Sequence, residues 1–176
     1  MNNLFIIAVE HRTEHDCSAY PYEEYEKLVE YIKKYSPKKI LEVGTGMGFT
    51  AVLMAQTISE AHIDTIEKDA EHCAIATTLG EQNGVAERVN VINGMAEEEL
   101  AKLIPDNYDF VFFDGYQIHY EFLPHYEILL KNGGVLFLAN NHLKSKTSDQ
   151  FFEELNNSGK WKVIENFADT TIALKK

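Results

Sequence analysis

Three features of the sequence predict an α/β fold in which helices cover both faces of a seven-stranded, mostly parallel sheet that ends in an antiparallel hairpin. From residue 38 onward, short β-rich runs alternate with segments of helical period, the pattern of parallel strands joined by crossover helices. Two of those runs, FVFF at 110–113 and VLFLA at 135–139, are continuous in apolar residues, as strands buried on both faces are. The C-terminal stretch NNSGKWKVIENFADTTIALKK carries two alternating runs around FADT, which reads as a hairpin closing the sheet.

In chain order, the first element is an amphipathic helix at Tyr22–Tyr35, with Tyr25, Leu28, Val29 and Ile32 at helical spacing. Residues 1–36 form an N-terminal cap whose helix either covers the sheet or serves as a substrate lid. Strands follow at Lys38–Val43, Ile63–Glu67, Val89–Ile92, Asp109–Asp114 and Gly133–Ala139. Between them fall helices at Thr50–Ser59, Ala70–Asn83, Ala96–Ile104 and Tyr120–Leu130, and a last helix spans Ser148–Asn156. Asn83-Gly84 and Asn132-Gly133-Gly134 are the stop signals for the second and fourth crossover helices. With 176 residues, 45% of them hydrophobic, the chain is expected to form one domain over 1–176.

Composition narrows the function. The formal charge is −12, from 16 Lys+Arg against 28 Asp+Glu, which disfavours a nucleic-acid partner because polyphosphate binding needs excess cations. Cys17 and Cys73 are far apart and in neither a C-x-x-C nor a Cys/His ligand spacing, so the sequence suggests no disulfide framework or zinc site. The start, MNNLFIIAVEHR, has no basic n-region and too short an apolar run for a signal sequence or a spanning helix. The expectation is a cytoplasmic protein with no membrane partner. The apolar LFIIAV could either cover the sheet or form a homodimer contact.

The chemistry concentrates at ILEVGTGMGFTAVLMA, residues 40–55, where Gly44, Gly46 and Gly48 sit between a strand and a helix. Glycines there let a ligand approach main-chain N–H groups, in the crevice where parallel strands end. Glu42 precedes them, and Glu67 closes the second strand, where an acidic side chain can accept bonds from ribose hydroxyls. A dinucleotide fingerprint would put its third glycine at 49, which is Phe49. An acid beside the loop repels phosphate and attracts an ammonium, so a cationic nucleoside such as S-adenosylmethionine suits the mouth better than a nicotinamide dinucleotide.

The runs YSPKKILEVGTGMGFTAVLMA, IDTIEKDAEHCAIA, VNVINGMAEE, YDFVFFDGYQIHY and LLKNGGVLFLANN resemble the class I S-adenosylmethionine-dependent methyltransferases, of Rossmann-like fold. Within them they resemble the catechol O-methyltransferase-like O-methyltransferases, over about Tyr20 to Lys176. The resemblance implies that Glu42 lies near the cofactor's ammonium and that the loop Gly44-Thr45-Gly46 to Gly48 passes beneath its methionine moiety. Thr50 would bind its carboxylate, and Glu67 would hold the ribose with Lys68 alongside. Gly94-Met95-Ala96 would border the adenine, Tyr116 would pack on the cofactor and Asp114 would stand at the reaction end.

The chain departs from the family where a divalent cation would bind. The family holds it with two aspartates and an asparagine and has a lysine base three residues after the first aspartate. Here the ligand positions read Asp114, Asn140 and Asn141, and the lysine position is Gln117. A hard cation such as Mg²⁺ prefers charged oxygens, and glutamine is no base. Three readings remain: another base, His119 or His142, titrating in the useful range; a metal completed by substrate oxygens; or a binding protein that no longer turns over. The acceptor expected is a small-molecule hydroxyl, with an RNA- or protein-modifying methyltransferase as the rival. Lys33, Lys34, Lys38, Lys39, Lys131, Lys160, Lys162, Lys175 and Lys176 are expected on the edge away from the mouth, where they complement helix C-termini.

Overall fold

The computed structural model describes residues 3–176. Helices α1 (Asn3–His15) and α2 (Tyr25–Tyr35) precede β1 (Lys39–Val43), α3 (Phe49–Thr57), β2 (His62–Glu67), α4 (Ala70–Gln82) and β3 (Val89–Asn93). Then come the short α5 (Ala96–Glu99), β4 (Tyr108–Phe113), α6 (Phe122–Leu129), β5 (Leu130–Leu138), α7 (Lys146–Asn157), β6 (Trp161–Phe167) and β7 (Thr170–Lys175). The seven strands lie in the order β3-β2-β1-β4-β5-β7-β6. The first five run parallel, while β7 pairs antiparallel with both β5 and β6. The expected α/β class, mixed sheet and terminal hairpin are therefore present.

Alternation along each strand divides the core in two. Ile40, Phe110, Phe112 and Phe137 face one layer with α2 and α3, where Leu28, Ile32 and most of α3 are buried. Leu41, Val43, Val111, Phe113, Leu136 and Leu138 face the other, against Leu123 and Tyr126 of α6 and Phe151 and Leu155 of α7. Of the two roles open to the second helix, α2 thus performs the covering one.

Three expectations need correction. The N-terminal run is itself a helix: LFIIAV has no helical period, but Leu4 and Ala8 dock into the α2–α3 layer and leave Ile6, Ile7 and Val9 half-exposed. The helix expected at Ala96–Ile104 is one α turn followed by a 3₁₀ turn at Leu100–Lys102, because Pro105 is too close for the ladder to continue. Asn132-Gly133-Gly134 does not end a helix. α6 stops at Leu129, and the glycines lie inside β5, where its pairing with β4 shifts register between Tyr108 and Phe110.

The lysine-rich edge is occupied by ion pairs. Asp109 accepts the N–H groups of Lys38 and Lys39, both at 2.9 Å, and pairs with Lys131 at 2.8 Å; Lys39 also reaches Asp64 at 2.7 Å. Among the described residues no helix is long and apolar enough to cross a membrane.

Candidate functional site

Because β1–β5 are parallel, the loops that follow them emerge at one edge of the sheet, and strand order reverses between β1 and β4, the position where such sheets form a crevice. The loop after β1 and the loop after β4 touch there. Gly44 has φ +95°, and a Cβ at that position would lie 2.6 Å from the Asp114 carbonyl oxygen, so only glycine fits. Gly48 (φ +93°) lies as close to Ala76 of α4, 2.8 Å for the equivalent atom, and thereby brings the start of α3 against α4. Gly46, also at positive φ, abuts Ala19 from the segment between α1 and α2.

The carboxylates are held by this frame. Glu42 of β1 is fully buried; one of its oxygens accepts the Thr50 hydroxyl and the other that of Thr65. Thr65 is its register partner in β2 and is also bonded to Thr45. Burial, with the nearby Glu67 charge adding, pushes the Glu42 carboxyl up to about 7 despite those two bonds. Glu67 accepts the Gly46 N–H at 2.9 Å on one oxygen and the Asp69 N–H at 3.0 Å on the other. Its carbonyl receives the Gly94 N–H at 2.9 Å and the Asn93 amide at 3.0 Å, which joins the ends of β2 and β3. Asn93 also bonds the carbonyl of Lys68 at 3.2 Å; the Lys68 side chain itself is exposed.

Asp114 follows β4, and its N–H donates to the Val43 carbonyl of β1 at 2.8 Å. Desolvation, reinforced by Glu42, pushes its carboxyl well above the ordinary carboxylate range, while a hydrogen bond from Asn140 acts the other way. Glu42 thus repels or is repelled by both other carboxylates, and the three share one field. Two large side chains on the same edge stand open: Met95 is 47% exposed and Tyr116 is 81% exposed. Ala96 begins α5.

The remaining candidates separate. Asn140, at φ +61°, donates its amide to Asp114 at 3.1 Å and to the Gly115 carbonyl at 2.9 Å; both partners are acceptors, so the nitrogen side of the amide is fixed. Asn141 donates to Thr171 at 2.7 Å, and its Oδ1 is buried with no partner among the described residues. His119 lays its ring against Phe122, and His142 pairs with Asp169 of the hairpin turn at 3.2 Å. Among the described residues neither histidine hydrogen-bonds to Asp114. Gln117 reaches the Leu143 carbonyl at 3.5 Å.

This donor set does not suit Mg²⁺. It offers one carboxylate, Asn140 presents N–H to that carboxylate rather than an oxygen to a cation, and Asn141 Oδ1 is the one buried amide oxygen of the set left without a partner among the described residues, too little charge for a hard dication. The Asn140 amide supplies hydrogen-bond donation to Asp114 where a cation would supply charge.

Thr65, Asn93 and Ala19 were not picked out by the sequence. Thr65 was findable: it is a polar residue in a core strand, level with Glu42 once β1 and β2 are aligned. Asn93 acts through its side-chain amide on the carbonyls of Glu67 and Lys68, and Ala19 through its Cβ against Gly46; both roles depend on how loops meet, which no linear motif records.

The family profile described as O-methyltransferase matches residues 8–165. Catechol O-methyltransferase B of Danio rerio is 28% identical over 141 residues, covering 74% of this chain and 52% of that protein. The chain spans about half the length of the curated relatives it matches. Among solved structures, the O-methyltransferase of Bacillus cereus, in complex with S-adenosylhomocysteine, superposes with a TM-score of 0.85 over 100% of this chain and 92% of that one at 17% identity. TomG of Streptomyces achromogenes, in complex with S-adenosylmethionine, gives 0.82 over 99% and 90% at 20% identity. At those identities the likeness is one of fold.

Proposed function

Because the chain belongs to the O-methyltransferase family, we propose that it transfers the methyl group of S-adenosylmethionine to a hydroxyl oxygen of a small-molecule acceptor, without a divalent cation. The observation that carries this reading is the crowding of Glu42, Glu67 and Asp114 around a glycine loop at the point where strand order reverses. Uncompensated, the arrangement costs stability; a cationic ligand relieves it, and a pyrophosphate would worsen it.

When bound, S-adenosylmethionine supplies an electrophilic methyl on a sulfonium and a neutral thioether leaving group. The chain's residues hold it and manage one proton. Glu67 has lone pairs left after its two main-chain bonds and accepts the ribose hydroxyls. Glu42, ionised by the approaching cation, faces the methionine end electrostatically, with Thr45 and Thr50 maintaining its environment. Met95 and Tyr116 supply apolar cover for adenine and the cofactor. Asp114, ionised once the sulfonium charge is beside it, accepts the acceptor's hydroxyl proton as oxygen attacks the methyl in line; a carboxylate whose proton affinity is raised by burial is a stronger general base than an ordinary one. Asn140 positions it. Lys39, Lys131 and Lys160 are all engaged with carboxylates, which supports a small acceptor over a nucleic acid.

The test combines calorimetric titration of S-adenosylmethionine with a methyl-transfer assay in EDTA, using a catechol as the first acceptor by analogy with the Danio rerio relative. Binding with transfer supports the proposal. Binding with no transfer to any of a panel of phenols and catechols would leave a cofactor-binding protein, and stabilisation by NAD instead would overturn the cofactor assignment.

A further inference from the structure

The fold assembles a second group of donors that linear spacing hides. His11 lies near the end of α1, Cys17 two residues beyond that helix and His72 in the first turn of α4; one donor atom from each lies within 4.8 Å of the others, and all three residues are half-buried. The rings of His11 and His72 meet edge to face at 5.6 Å, and His15, one turn after His11, stacks on it at 4.4 Å. His11 Nε2 is buried with no partner among the described residues, an imidazole nitrogen short of either a hydrogen-bond partner or an ion.

We propose that His11, Cys17 and His72 form a binding site for a transition-metal ion of the zinc class, tying the N-terminal segment to α4. Two imidazoles and a thiolate are the borderline-soft donor set that selects Zn²⁺ or Co²⁺ over Mg²⁺ or Ca²⁺. Tetrahedral bonds of about 2.0–2.3 Å hold donors roughly 3.3–3.8 Å apart, so side-chain rotations of about an ångström bring these three into place. Water fills the fourth position, or His15 after a ring turn. The Cys17 thiol gives up its proton to solvent on ligation.

The site's place in the fold gives it a consequence. Two residues after Cys17, Ala19 lies against Gly46 of the glycine loop. Three residues before His72, Asp69 donates its N–H to Glu67. An ion here would pin the segment that lies against the glycine loop and slow exchange of whatever occupies the crevice. Metal binding stands independently of the methyltransferase reading; only the effect on cofactor exchange rests on it.

The experiment is a Co²⁺ titration of chelator-stripped full-length protein, followed by thiolate-to-cobalt charge-transfer absorption, then displacement by Zn²⁺. One equivalent per chain with a thiolate band is expected. Cys17→Ser should abolish the band, and His72→Asn should keep it while weakening affinity at least tenfold. Zn²⁺ should raise the Tm of the unsubstituted protein and leave that of Cys17→Ser unmoved; melts in EDTA check that both variants fold. Should Cys17→Ser fail to fold, His72→Asn alone decides. Absence of a thiolate band, or zinc affinity unchanged in His72→Asn, would overturn the site.

Discussion

The two halves of the crevice are built differently. On the β1–β2 side Thr45, Thr65, Glu42 and Thr50 form one hydrogen-bonded chain, and Glu67 clamps the glycine loop and the start of α4. On the β4–β5 side Asp114 has, among the described residues, one side-chain bond, from Asn140, while His119 and His142 are engaged elsewhere. A nucleoside cofactor presents the same atoms to every enzyme that uses it, which suits the densely hydrogen-bonded half to the role proposed for it. Acceptors differ, which suits the more sparsely bonded half to the acceptor role proposed for it.

Several substitutions would sharpen or break that contrast. Asp114→Asn should lower kcat by about 10²–10⁴-fold and weaken S-adenosylmethionine, whose sulfonium it would face, more than S-adenosylhomocysteine; equal losses for the two would mean that Asp114 acts on atoms they share rather than at the reaction end. Gly44→Ala forces a Cβ into the Asp114 main chain at an unfavourable φ and should cost about 2–4 kcal/mol in urea unfolding. Glu67→Ala should weaken S-adenosylhomocysteine binding by about 1–3 kcal/mol in a calorimetric titration; an unchanged affinity removes the ribose assignment.

A smaller effect comes from pH. Glu42, raised to about 7, must lose its proton to face a cation, so affinity should fall about tenfold per unit of acidification below 7. Glu42→Gln should flatten that profile. The same shift has the opposite sense for the unliganded fold: since the folded protein holds the proton longer than the unfolded chain, stability declines as pH rises from about 4.5 to about 7. Smallest of all is the effect of EDTA on transfer, expected to be nil beyond any change traceable to His11, Cys17 and His72.

The strands and the glycine loop were legible in the sequence, while the side-chain contacts of the crevice were less so, for physical reasons. Buried parallel strands must be apolar runs, and a main chain at positive φ pressed against its neighbour must be glycine, so β1, β4, Gly44 and Gly48 were readable residue by residue. Thr65 needed strand register, which only pairing supplies. α1 was unreadable because its consecutive Leu, Phe, Ile and Val residues carry no helical period; docking of Leu4 and Ala8 decides it. Asn140 was visible as a departure, but not that its amide would turn toward Asp114. His11, Cys17 and His72 come from three segments, and no one-dimensional spacing could join them.

The most direct measurement is a proton count for cofactor binding. S-adenosylmethionine is titrated at pH 6 in buffers of different ionisation enthalpy. If crowded carboxylates select a cation, binding releases close to one proton or more per chain, and Glu42→Gln releases correspondingly fewer. Binding that releases none, or takes protons up, would contradict the account.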